Sequence, residues 1–260
     1  LNEVEPATTR WKVIVEYHGA GFAGWQVQPD ARTVQGELEA AVERVVGHRV
    51  QLSASGRTDA GVHALGQVVS FVTTARRSAR AIRDGLTACL PPDIACVRAE
   101  EVPLSFDPRR WTRQKLYRYT WLARRSRSPM WADRAWHVRD TLDVAAMHAA
   151  AQHMVGQHDF TSFRAEGCGA DHAVRTVESA SVRWRAGFVE LDVSGNGFLR
   201  HMVRIAAGTL WEVGRGAQPV GWVAEVIEAK RREAAGRTAP AHGLTLVSVS
   251  YGDAPPAHMS

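Results

Sequence analysis

The run Ser53–Phe71 (SASGRTDAGVHALGQVVSF) holds the residue types and spacing best suited to chemistry, because it sets a single acid, Asp59, among turn-forming residues. Gly56 stands three positions before it, Gly61 two after it and Arg57 two before it. Glycines let the backbone take positive φ and bring a short polar side chain close to a ligand. A carboxylate with an unperturbed pKa of ~4 is ionised at neutral pH and a nearby guanidinium holds it so. It can add covalently to an electron-poor carbon, or take a proton, and then leave. The same pattern is also ordinary turn chemistry. Gln67–Thr73, β-branched and aromatic, predicts a strand buried on at least one face, so the acid stands on a loop leading into a rigid element.

A second concentration lies between Ser105 and Arg127, where eight basic residues (Arg109, Arg110, Arg113, Lys115, Arg118, Arg124, Arg125, Arg127) face one acid, Asp107. The whole chain has a net charge of only +5, so the basic character is a local patch. Trp111, Tyr117, Tyr119 and Trp121 are interleaved with it. The combination suits phosphate neutralisation with stacking platforms, and equally a solvated strand face. The glycine-rich run His18–Gln28 (HGAGFAGWQVQ) lacks the GK[ST] ending of a phosphate cradle, so no nucleotide cofactor is expected. His63 follows Asp59 by four residues, too few ligands for a metal site. Cys89, Cys96 and Cys168 have no CxxC spacing and suit core fillers or free thiols.

At 260 residues and 45% hydrophobic content, the chain suits one large domain or two small ones. No apolar run approaches the ~18 residues of a membrane span, and no basic region precedes an apolar stretch at the start, which points to the cytoplasm. A first residue of Leu rather than Met suits a processed or trimmed chain.

The elements that must position these residues follow from periodicity. Alternation predicts a strand over Trp11–Tyr17. Thr33 caps a helix whose apolar face is Val34, Leu38, Ala41, Val42, Val45 and Val46, ended by Gly47. Short strands are expected over Val50–Ala54 and Ile94–Ala99. Between them a helix over Arg76–Cys89 exposes Arg76, Arg77, Arg80 and Arg83 and stops at Pro91-Pro92. The order is β-α-β-β-α-β. A second half repeats it in outline: a strand over Lys115–Ala123, an Ala-rich helix over Val144–Val155 closed by Gly156, and strands over Thr176–Trp184 and Phe188–Val193. A turn at Gly195–Gly197 leads to an amphipathic helix over Phe198–Val213 that buries Leu199, Met202, Val203 and Ala206 and sets Arg200 and Arg204 on one face. Trp222–Arg231 is a further helix, and the last nine residues suit a disordered tail.

From Trp11 to Tyr251, YHGAGFAGWQVQ, GRTDAGVHALGQV, SFDPRR, KLYRY, HDFTSFR, GNGFLRHMVR and AGRTAPAHGLTL resemble, in order, the segments of the tRNA pseudouridine synthases that act on the anticodon stem-loop. The departures are His18 where Asp is usual, the GCGADHAVRT continuation, and Arg237 in place of a small residue or Pro. The resemblance implies an α+β fold of two similar ferredoxin-like (β-α-β-β-α-β) halves joined into one antiparallel sheet, with helices on the outer face and an RNA cleft between the halves. It places the halves at 1–104 and 105–251, with 252–260 as the tail. It implies an isomerase that turns uridine into pseudouridine at tRNA positions 38, 39 or 40, working as a cytoplasmic homodimer without a cofactor. Asp59 takes the role of nucleophile, Arg204 reaches it, Tyr117 stacks beside the target uracil and Arg57 takes part in base flipping. Phe106, Asp107, Arg109, Arg110 and Leu244 fall among the substrate-contacting segments. Two rivals stay open: an RNA-binding module without chemistry, and a hydrolytic N-glycosidase or nuclease that uses Asp59.

Overall fold

The computed structural model of the protein describes residues 8–252, so Leu1 and all of the expected tail except Gly252 lie outside the described residues. The chain divides into two compact units, 1–113 with 248–260, and 114–247.

In the first unit, β1 (Thr9–Tyr17) leads through a glycine-rich loop to α1 (Val34–Val46), then β2 (Ser53–Ala54), β3 (His63–Thr73), α2 (Ala79–Cys89) and β4 (Ile94–Val102). This is the expected β-α-β-β-α-β order. Its sheet runs β4-β1-β3, antiparallel throughout, with β2 paired to β3 at Ser53–Ser70 and Ala54–Val69. Trp11, Val13, Val15, Val69 and Phe71 share one face by alternation and register, and are buried with Leu38, Ala41 and Val42 of α1 and Ile82 and Leu86 of α2. Thr33 caps α1 by accepting from the Gly36 amide, and Gly47 ends it at φ +84. The helices touch where α2 carries no side chain: a Cβ on Gly85 would lie 3.1 Å from Val45 Cγ2.

Two expectations need correction here. α2 does not begin at Arg76, because Ser78 caps it by accepting from the Ala81 amide, and Arg76 and Arg77 stand outside it. Val50–Leu52 is not strand: pairing with β3 is confined to Ser53 and Ala54.

The second unit holds most of β5 (Thr112–Ala123), followed by β6 (Trp136–Val138), α3 (Val144–Gln152), β7 (Gly156–Asp159), β8 (Val174–Arg185), β9 (Phe188–Gly195), α4 (Met202–Gly214), α5 (Trp222–Ala229) and the first half of β10 (Leu244–Tyr251). The order β5-β9-β8-β7 is antiparallel, and β6 pairs with β5 in parallel. The core gathers Tyr119, Trp121, Met147, Phe160, Phe163, Leu191, Ile205 and Leu210, all buried. The α+β class holds in both units.

Three helix boundaries differ from the periodicity reading, each for a local reason. α3 stops at Gln152 because the amides of His153, Met154 and Val155 each bond three residues back, which tightens the last turn, and Gly156 at φ +114 opens β7 instead of closing the helix. α5 ends at Ala229, with Lys230 in the left-handed region. α4 begins only at Met202, because His201 sits at φ +61 and cannot belong to a right-handed helix. Arg200 therefore lies outside α4 and shares no helix face with Arg204; its Nη1 donates to the Glu166 carbonyl at 3.4 Å.

Candidate active site

Asp59 is half-buried on the loop between β2 and β3, and that loop is held from several sides within the first unit. At its start the Ser55 amide donates to Val68 O at 2.9 Å, the Ser55 hydroxyl donates to Gln67 Oε1 at 2.6 Å, and Gln67 Nε2 donates to Gly56 O at 2.8 Å. Gln67 is fully buried, so these bonds satisfy a polar group that would otherwise be costly. Beside the acid, the hydroxyls of Tyr17 and Thr58 lie 2.8 Å apart and the Trp25 amide donates to Thr58 O at 3.0 Å. Burial pushes the Tyr17 phenol well above its ordinary range, so it stays protonated. Beyond it, the Val62 amide donates to Asp59 O at 3.1 Å across a turn with Gly61 at φ +80. Gly61 uses its conformational freedom, whereas Gly56 serves through its carbonyl.

The glycine-rich loop after β1 is the seat of this turn. Gly24, at φ +103, approaches so closely that a Cβ would lie 3.0 Å from Thr58 O and 3.1 Å from the Ala60 nitrogen. Gly19 to Gly24 also has the letter spacing of a dinucleotide fingerprint, but α1 opens only at Val34, and its first amides already donate to the carbonyls of Gly24 and Trp25 rather than facing a phosphate. Sequence reasoning missed this seating role, as it missed Tyr17, Thr58 and Gln67. The signal available was polar residues placed where a strand's buried face is expected.

Arg57 is exposed beside the acid. Phe106 is buried, edge-on to Trp111 at 5.5 Å and to Tyr251 at 5.1 Å, with Lys12 Nζ 5.0 Å from the Tyr251 ring. The Tyr251 hydroxyl donates to Pro108 O at 2.9 Å. Asp107 Oδ1 accepts from the amides of Arg109 and Arg110, both at 2.8 Å, closing a turn that leaves both guanidinium groups exposed. Phe106 and Asp107 thus anchor the segment from which Arg109 and Arg110 project.

In the second unit, Tyr117 is half-buried on β5, opposite Val193, with its ring edge-on to Phe198 at 5.2 Å. The expected interleaving of stacking aromatics with arginines does not hold along this strand. Tyr119 and Trp121 are fully buried, and the Tyr119 hydroxyl donates to Pro240 O at 2.9 Å. Arg118, across the strand, forms a two-pronged pair with Asp192 at 2.7 and 3.0 Å, which raises its pKa. Its charge is already matched, and Arg124 is turned onto the carbonyls of Ser126 and Arg127.

Arg204, half-buried on α4, donates from Nε to Ala239 O at 2.9 Å while its own carbonyl accepts from the Ala239 amide at 3.1 Å. This two-way clasp holds the loop before β10 on α4. The Gly236 amide donates to Thr209 Oγ1 at 3.0 Å, and Gly208 leaves no room for a Cβ beneath Arg237 O, which would be 1.7 Å away. Leu244, buried, opens β10 at the end of this loop. Burial holds the His242 imidazole below its ordinary pKa, so it is neutral at pH 7. Among the described residues no group of three or more His, Cys, Asp or Glu is arranged to hold a metal, and no helix is long and apolar enough to cross a membrane.

The fold and site are those of an α+β protein that seats a half-buried acid beside an exposed arginine. Comparison with known proteins narrows the class: the profile of the tRNA pseudouridine synthase family matches residues 13–109 and 150–252, and the chain belongs to that family. The tRNA pseudouridine synthase A of Myxococcus xanthus is 50% identical over 249 residues, 95% of this chain and 94% of that protein. Its namesake in Geotalea uraniireducens is 49% identical over 240 residues, 92% and 98% of the two chains. A chain of the solved archaeal box H/ACA sRNP Nop10-Cbf5 complex aligns over 85% of this chain and 68% of its own at TM-score 0.33 and 11% identity, a likeness too slight to argue from.

Proposed function

We propose that the protein is the isomerase that converts uridine to pseudouridine in the anticodon stem and loop of tRNA, with Asp59 as its nucleophile. The observation that carries this reading is the seating of Asp59: a half-buried acid whose neighbours Thr58 and Val62 are both hydrogen-bonded in place. Family membership and the two relatives named tRNA pseudouridine synthase A support the activity and the substrate class.

The reaction breaks the N1–C1′ bond, turns the uracil and joins C5 to C1′, with the proton lost from C5 balanced by one gained at N1. It is redox-neutral and needs no activated donor. Asp59 adds to the substrate and leaves again, so a fixed rotamer and an ionised state both matter. A stacked uridine hides C1′ and C6, so the nucleotide is first extruded, at a cost of a few kcal/mol. Arg57, exposed and planar, fills the vacancy, and Tyr117 stacks on the extruded base. Arg204 reaches the Asp59 carboxylate and orients it, and Leu244 lines the base's surroundings. Arg109 and Arg110 contact phosphate, on the anchor made by Phe106 and Asp107. The work is divided between a half carrying the acid (1–104) and one completing the site (105–251), in a cytoplasmic homodimer.

Incubating the protein with an unmodified tRNA transcript and mapping pseudouridine tests the reading. Pseudouridine confined to the anticodon arm is the expected result. Free uracil or cleaved RNA would favour hydrolytic use of Asp59, and binding without product would leave only an RNA-binding module.

A further inference from the structure

One imidazole sits where the Asp59 loop meets the loop after β1. The Gly19 amide donates to Nδ1 of His63 at 3.0 Å, and His63 is buried at the first position of β3. The His18 ring lies against the His63 ring, centroids 4.7 Å apart and planes inclined by 36°. The two backbones meet beside this bond, since a Cβ on Gly19 would stand 2.0 Å from Val62 O. An amide donates only to an unprotonated nitrogen, so Nδ1 offers its lone pair and the proton of the neutral ring is on Nε2.

We propose that His63 is a positioning residue for Asp59, its neutral Nδ1 locking the far end of the acid's turn to the β1 loop. The inference rests on the reading of Asp59 as the reacting group. The contacts form a closed path: Asp59 O accepts from Val62 N, Val62 adjoins His63, and His63 accepts from Gly19. At the near end, Thr58 is held by Tyr17 and Trp25. Tyr17 and Gly19 flank His18, so three consecutive residues hold both ends of the loop. A histidine that merely filled the core would be replaceable by any ring of its size, whereas one that positions the loop must supply an acceptor where Nδ1 lies.

The test compares His63→Phe, which keeps a ring and loses the acceptor, with His63→Asn, whose side-chain carbonyl offers an acceptor near the Nδ1 position. Single-turnover pseudouridine formation, tRNA Kd and melting temperature are measured for each. His63→Phe should slow the single-turnover rate by about 10²-fold with Kd within about threefold, the size of loss a small misplacement of a reacting group produces. His63→Asn should recover to within about tenfold of wild type. A phenylalanine variant at the wild-type rate, or an asparagine variant no faster than it, overturns the proposal. If His63→Phe fails to fold, ¹⁵N-histidine NMR of the wild type decides. The Nε2–H tautomer is expected at neutral pH, and the Nδ1–H tautomer or an imidazolium overturns it. Wild-type protein that makes no pseudouridine counts against the activity itself, whereas an active wild type with an equally active His63→Phe counts only against His63.

Discussion

The hydroxyl of Tyr17, the last residue of β1, lies 2.8 Å from the hydroxyl of Thr58, the residue before Asp59. Both groups are buried, so neither exchanges this partner for water at no cost. Tyr17→Phe should lower stability by about 1–2 kcal/mol in denaturant titrations. It should also slow isomerisation more than it weakens tRNA binding, because the bond orients a reacting group. An unchanged rate in a destabilised variant would confine Tyr17 to the core.

Arg204 clasps Ala239 in both directions, and Ala239 is fully buried. Arg204→Met leaves the Ala239 carbonyl without this donor and should cost about 1–3 kcal/mol, with a loss of turnover as well. Arg204→Lys restores the charge but not the planar fork, so only partial recovery is expected. Arg200→Met should be milder in turnover, since Arg200 is exposed and stands outside α4. Melting temperatures and single-turnover rates of the three variants check this; wild-type turnover in Arg204→Met would remove its role in the reaction.

These contrasts mark how far the sequence was legible. α1 could be read to the residue, because its cap, its apolar spacing and its terminal glycine are local signals that agree. The start of α4 could not, since the apolar and helix-compatible residues from Phe198 onward match a helix that only the left-handed His201 forbids. The motif segments carrying Asp59, Tyr117 and Arg204 stood out by resemblance. The seating of Asp59 did not, because Gly24 to Thr58 and Tyr17 to Thr58 are contacts between distant parts of the chain, and Gln67 reads as one more strand residue until its bond to Gly56 is seen. For the basic segment, charge count overstated what is available, because a residue's partner across the sheet, such as Asp192 for Arg118, is invisible in composition.

Arg109 and Arg110 are exposed on a turn that Asp107 closes through backbone amides, so both can be removed without unfolding it. The double change to Ala should weaken binding of all tRNAs about equally. It should also reduce the slope of log K against log salt by roughly 1.5, as expected for two lost phosphate contacts. An unchanged slope would return the pair to a solvated face.

Asp93 accepts two hydrogen bonds from Arg32, at 2.7 and 2.8 Å, and these hold its carboxyl below the ordinary value of 3.8. A folded-state pKa below the unfolded one adds stability that is present above the unfolded value and is lost as pH falls through the folded value. Asp93→Asn should therefore be less stable than wild type at pH 7, by no more than about 1 kcal/mol for so exposed a pair. The difference should shrink as pH falls through the depressed folded value and vanish below it, where Asp93 is protonated in both the folded and the unfolded chain. Urea titrations across this range check it, and a deficit that persists in acid would mean that Asp93 acts through packing and not through its charge.

Asp59 carries the proposed chemistry, and single-turnover pseudouridine formation on an unmodified tRNA by Asp59→Asn, with tRNA affinity measured alongside, tests that role most directly. No product above background, with Kd within about threefold of wild type, is predicted, because loss of a nucleophile removes many kcal/mol of transition-state stabilisation and little ground-state binding. Product formed at a rate within about tenfold of wild type would contradict the assignment of Asp59 as the nucleophile.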